Sequence, residues 1–194
     1  MRRPRIVSAA SASLFAILLA ATAAGAQDFD ASAFVTKAVG AGRAGMAQKT
    51  KLVDARPAGA GEVVVTLIKG EGVETRSKPA EAGDMVVRNR CPETGNEEYL
   101  VRGANFAKRY GPPSGEAGAA GWRAYAPLGT PMRFVVLSAT EGPYSFKAPW
   151  GEAMVAKPGD AIVQDPGNPA DTYRIAAASF ACTYEVTQAA KPGS

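Results

Sequence analysis

The first apolar block of the chain, Leu14 to Ala24, follows a start that carries Arg2, Arg3 and Arg5. It ends in the small-residue triplet Ala24-Gly25-Ala26. A positive start, an apolar core and small side chains three apart are the pattern of a cleavable export signal, with the cut expected between Ala26 and Gln27. The core is shorter than the roughly 20 apolar residues that a bilayer span needs, and no later stretch is long and apolar enough. No cysteine follows it to take a lipid anchor. The expectation is a bacterial protein that is periplasmic or secreted, with no membrane span in the mature chain.

After the signal, the apolar positions change period. Phe34, Val35, Ala38 and Val39 fall on one face of a helix expected over Asp28–Val39. Glycines 40, 42 and 45 weaken any continuation. From residue 61 onward, short β-branched and apolar runs alternate with Gly, Pro and Asp, which predicts short strands and turns. The expected fold is mainly β with short α: two tandem, related, small barrel-like modules, each ending in a short helix.

The two modules share one plan. Val63–Ile68 and Phe134–Leu137 open them, and Glu71-Gly72 and Glu141-Gly142 follow. Gly83-Asp84 and Gly159-Asp160 each precede a short apolar run. Asp at such a turn bonds nearby backbone amides. Tyr99, Phe106 and Tyr110 then recur with the same spacing as Tyr173, Phe180 and Tyr184. Phe and Tyr four apart share one helix face, and these aromatics are expected to anchor the core. The second copy has a longer stretch before its Gly-Asp, around Pro149-Trp150-Gly151-Glu152. The expected organisation is 1–26 signal, 27–60 N-terminal helix and linker, 61–111 first module, 112–131 Gly/Pro-rich linker, 132–188 second module and 189–194 disordered tail.

Ala148-Pro149-Trp150-Gly151-Glu152, Lys157-Pro158-Gly159-Asp160, Tyr173-Arg174-Ile175 and Phe180-Ala181-Cys182-Thr183-Tyr184 together resemble the small bacterial domains named for a Pro-Gly-Asp-Tyr-Gly motif. The first module carries a looser form at Gly72, Gly83-Asp84, Tyr99, Phe106 and Tyr110. Ala161 stands where the motif has Tyr. The resemblance implies a repeated domain and no known activity, so it carries over no catalytic residue.

Composition narrows the chemistry. The chain has 22 Lys+Arg and 18 Asp+Glu. Removal of residues 1–26 takes three arginines and no acid, leaving 19 against 18, a net charge of +1 on 168 residues. No basic run remains to suggest a nucleic-acid partner. Histidine is absent. That excludes His-based triads and removes the commonest zinc and copper ligand. Two cysteines alone do not make a structural zinc site, so neither a metal nor a cofactor is expected. In an oxidising compartment, Cys91 and Cys182 are first read as a disulfide joining the modules, with two buried thiols as the alternative.

The candidate ligand-binding residues are Tyr144, Phe146, Trp150, Glu152 and Asp160. Aromatics on a Pro/Gly loop suit stacking on a sugar or peptide. The alternative is that Trp150 packs over the end of the small barrel, and that Asp84 and Asp160 cap turns. Three functional classes fit this pattern. The first is a non-catalytic exported protein that binds an envelope glycan or protein. The second is a structural or accessory subunit. The third, ranked last, is a hydrolase using Asp160 and Glu152.

Overall fold

The computed structural model describes residues 27–191. The expected export signal, with its expected cut between Ala26 and Gln27, falls on residues 1–26, which with the last three residues lie outside that range. Strand β1 (Gln27–Asp28) leads into helix α1 (Ala31–Gly40), followed by β2 (Gly45–Lys49), β3 (Val53–Pro57), β4 (Val65–Ile68), β5 (Gly72–Arg76), β6 (Met85–Asn89) and β7 (Glu98–Val101). Helix α2 (Gly103–Arg109), β8 (Tyr110–Ser114), a 3₁₀ turn (Ala119–Gly121), β9 (Arg123–Pro127), β10 (Pro131–Val136), β11 (Tyr144–Lys147) and β12 (Ala153–Ala156) come next. Then β13 (Ala161–Asp165), β14 (Asn168–Ile175), α3 (Ala177–Thr183) and β15 (Tyr184–Gln188) complete the fold. The protein is mainly β, as its pattern predicts. Among the described residues no sheet closes into a barrel.

Two five-stranded antiparallel sheets carry the architecture, ordered β7-β6-β3-β9-β8 and β14-β13-β10-β2-β15. Each central strand is flanked by one strand from its own half of the chain and one from the other half. Strand β2 precedes β3 in the chain yet lies between β10 and β15 of the second sheet. Strand β9 precedes β10 yet lies between β3 and β8 of the first. Three residues make each crossing, 50–52 and 128–130.

This topology corrects the expected boundaries. The stretch 112–131, expected as a linker, holds β9, which pairs on both sides. The stretch 27–60, expected as helix and linker, holds β2 and β3. The alignment of Val63–Ile68 with Phe134–Leu137 also shifts. Val65–Ile68 is half of the hairpin β4–β5, whereas Phe134 lies in a sheet centre. The strand in the corresponding place is β3. It alternates: Val53 and Ala55 are fully buried while Asp54 and Arg56 point outward. That reads as a weak signal beside a continuous apolar run.

The inner faces form two aromatic cores. In the first sheet Val53, Ala55, Val87 and Tyr125 pack with Phe106 and Tyr110. In the second Ala47, Phe134, Val163 and Tyr173 pack with Phe180, and Trp150 and Tyr184 lie against them. The outer face of the second sheet is also apolar. Val135, Leu137 and Ile162 lie under Val35 and Ala38 of α1. Asp30 starts that helix by accepting from the Ala33 amide at 2.9 Å, a cap usually worth about 1 kcal/mol.

Candidate functional site

The two Gly-Asp turns are built alike. Gly83 and Gly159 have φ of +88° and +90°, a region that costs a side chain strain. The following aspartate turns back on the residue three before it: Asp84 Oδ2 accepts from Glu81 N at 2.9 Å, and Asp160 Oδ2 from Lys157 N at 2.7 Å. The other oxygen accepts from the first amide of the helix, Gly103 N and Ala177 N, each at 3.1 Å. An arginine completes each cage: Arg102 on Asp84 at 2.5 Å and Arg174 Nε on Asp160 at 2.8 Å. Three of the roughly four acceptor directions of Asp160 are thus used. Burial alone would raise the Asp84 carboxyl, but the backbone and Arg102 donors outweigh it and hold it below the ordinary range. These aspartates pin a turn, a helix start and an arginine together.

The seam between the halves is polar and buried. Arg174 reaches from the second sheet to Glu74 (2.6 Å) and Glu71 (2.8 Å) of the first hairpin. Burial pushes the Glu74 carboxyl up to about 7, because Arg174 is shared among three acids and Glu97 and Glu71 lie near. Lys49 donates to Asn89 Oδ1 at 2.7 Å and to Tyr99 OH at 2.9 Å. The Asn89 amide donates in turn to the buried Glu97, which also accepts from Thr94 and from Ser179 of α3. Burial pulls the Lys49 ammonium down to about 7, against the pull of Glu97. Arg109 bonds Tyr173 OH at 2.6 Å and Asp171 at 2.5 Å. Cys91 and Cys182 meet across the same seam as a disulfide, with Cα atoms 6.2 Å apart.

The predicted aromatics take the packing role. Phe106 stacks on Tyr110 (4.8 Å) and Phe180 on Tyr184 (5.2 Å). Tyr99 OH lies 3.1 Å from Tyr110 OH. Of the candidate binding residues, Tyr144 stacks on Phe29 at 4.2 Å and Trp150 packs on Tyr173 at 5.4 Å. Phe146 touches both faces of the second sheet and also lines a shallow depression with Phe29, Asp30 and Lys147. Glu152 is partly buried, and its carbonyl accepts from the Ala148 amide. The five residues do not line one cleft: only Phe146 borders either of the two main depressions.

The more open polar surface lies on the first sheet, where sequence reasoning did not look. Among the described residues no α-helix packs over its outer face. Trp122 lies there instead, with the Arg88 guanidinium 4.2 Å from its ring centre and that of Arg56 at 5.2 Å. Arg56 forms a two-pronged pair with Glu62 (2.6 and 2.9 Å), which lowers the Glu62 carboxyl to about 2. Next to Trp122 is a depression lined by Asp54, Arg88, Asn89, Arg90, Pro92 and Asn96. Asp54 sits between two guanidinium groups, 2.7 Å from Arg90 and 3.4 Å from Arg88. Burial favours its neutral form, but the two arginines outweigh that and hold its carboxyl below the ordinary range. Arg88 also lies 3.9 Å from Glu98, and the Arg90 guanidinium has Asp54 as its acid and is 41% exposed, so it keeps donors for an anion. The signal in the sequence was the alternation Asp54, Arg56 and Arg88, Arg90 on strands whose other face is apolar. Comparison with protein-family models, with curated proteins and with solved structures finds no match to this chain.

Proposed function

We propose that this is an exported, non-catalytic binding protein, made of two copies of one β unit that have exchanged a strand, and that it takes a carboxylate-bearing glycan on the outer face of its first sheet. One observation carries the reading. The outer face of the second sheet is apolar and covered by α1, while the same face of the first holds Asp54, Arg56, Arg88 and Arg90, of which the Arg88 and Arg90 side chains are 36% and 41% exposed. Paired guanidinium groups suit a carboxylate, and Asp54 and Asn96 suit the hydroxyls of a sugar ring. Export agrees with the Arg-rich, apolar start and with a cysteine pair placed for a disulfide. The repeated spacing and the two Gly-Asp cages support the duplication, and with it the likeness to Pro-Gly-Asp-Tyr-Gly domains. The hydrolase reading draws no support from Asp160, whose oxygens already serve three donors.

Titration calorimetry with an oligogalacturonate tests the proposal. The wild-type protein is expected to bind it, a neutral oligosaccharide of equal length is expected not to bind, and Arg88→Ala with Arg90→Ala is expected to weaken binding at least about tenfold while the fold is kept. Equal binding by that variant sinks the reading. A second reading, an accessory subunit docked on a larger partner, is favoured by Leu67 and Val73. They face each other across the β4–β5 hairpin and are 57% and 63% exposed.

A further inference from the structure

The Cys91–Cys182 pair has a third group beside it that no spacing in the sequence announces. Glu93 Oε2 lies 3.3 Å from Cys91 Sγ and 3.5 Å from Cys182 Sγ. The three ligand atoms lie within 4.8 Å of one another. We propose that the reduced protein holds one zinc ion between the thiolates of Cys91 and Cys182 and the carboxylate of Glu93.

The backbone supports this set. Cys91 and Glu93 sit on a tight turn in which the Cys91 carbonyl accepts from Thr94 N (3.1 Å), Thr94 Oγ1 (3.0 Å) and Asn96 N (2.9 Å). Thr94 is fully buried, and its hydroxyl also bonds Glu97. The turn therefore has a fixed shape without the disulfide. Cys182 is held from the other side by α3, whose Ser179 bonds the same Glu97 at 2.7 Å. When the S–S bond opens, both sulfurs stay anchored near one another. Zinc–sulfur bonds of about 2.3 Å and a tetrahedral angle need the sulfurs only somewhat further apart. Glu93 is exposed and Cys182 is partly exposed, so water can fill the fourth position. A carboxylate in the set favours zinc over cuprous copper, which prefers sulfur alone. Lys51 Nζ lies 3.3 Å from Cys182 Sγ. On its exposed side chain it stabilises the thiolate before the metal arrives and then swings out.

The steps balance. A dithiol reduces the disulfide, gives it two electrons and two protons, and becomes a cyclic disulfide. Zinc then displaces the two thiol protons to solvent. Oxidation by a disulfide-forming catalyst reverses this, reforming the S–S bond and releasing the cation.

Cobalt is a spectroscopic stand-in for zinc. The full mature protein is reduced with a phosphine, desalted without oxygen and titrated with Co²⁺. The expected result is a near-ultraviolet sulfur-to-cobalt band that saturates at one metal per chain and is removed by one equivalent of Zn²⁺. The oxidised protein should give no band, and Cys182→Ser should lose it. Glu93→Gln, an exposed change that leaves the fold alone, should weaken zinc at least about tenfold. No sulfur-to-cobalt band in the folded reduced protein, saturation at one metal per two chains, or unchanged affinity in Glu93→Gln would each overturn the proposal. The outcome is independent of glycan binding at the first sheet.

Discussion

Asp160 and Asp84 show how much one side chain can organise. Each joins a left-handed glycine, a turn, a helix start and an arginine. Asp160 and Arg174 are only 4% and 3% exposed, and loss of the Asp160 charge takes away the partner of Arg174 Nε while Glu71 and Glu74 still balance the guanidinium. Asp160→Asn is expected to cost about 1–3 kcal/mol in urea unfolding. Asp84→Asn should cost less, because Arg102 is 28% exposed and water can replace its partner. Equal costs would contradict this account.

Two seam groups also make stability depend on pH, with opposite signs. Glu74 titrates at about 7 when folded and at 4.5 when free, so between those values the folded protein holds a proton that the unfolded chain has lost. Its stabilising effect therefore fades as pH rises from about 4.5 to 7. Lys49 titrates at about 7 when folded and at 10.5 when free, so above 7 the unfolded chain holds the extra proton. Its contribution improves as pH rises from about 7 to 10.5. Together they predict a dip in stability near neutral pH. Glu74→Gln should flatten the acid side of the dip and Lys49→Met the alkaline side, as followed by thermal unfolding across pH. A profile that neither variant changes would remove both groups from the account.

At the scale of elements, what was legible in the chain was local. The Gly-Asp turns, the Phe–Tyr pairs and the short helices follow from residues within a few positions of one another, although each helix, expected to end its module, stops before the tyrosine, which opens a further strand, β8 or β15. Strands β2, β3 and β9 were hidden because they alternate and because their partners come from the other half. Lys49, Glu97 and Arg174 were hidden for a related reason: each has a partner 40 to 103 residues away along the chain. Aromatics on a Pro/Gly loop, as at Trp150, suit either a binding surface or packing over the end of the module, and here the Trp150 ring lies against Tyr173 and the core of the second sheet. The placement of β2 in the second sheet and β9 in the first has a measurable consequence. Ala47 is fully buried in β2, close in sequence to the first sheet but packed in the second. Ala47→Asp should perturb Trp150, over the second sheet, and Trp122, over the first, in a single transition. Each indole is read in a variant that lacks the other. A loss confined to one indole would contradict a shared core.

For the whole molecule, the crossings at 50–52 and 128–130, the Arg174 cluster and the cysteine pair tie the halves into one unit. A bond across 91 residues is worth about 4–5 kcal/mol in the chain-entropy view. Reduction should lower the stability in urea by a corresponding amount and steepen the transition, because the unlinked unfolded chain exposes more surface. The same seam holds the loop that lines the open depression, since Cys91 stands between Arg90 and Pro92. The architecture thus presents a rigid charged face on one sheet and a covered apolar face on the other. The most direct test is an amide and indole NMR titration with an oligogalacturonate. The account predicts shifts at Asp54, Arg88 to Asn96 and the Trp122 indole, with Trp150 unmoved. Shifts centred on Tyr144, Phe146 and Trp150, or none at all, would contradict it.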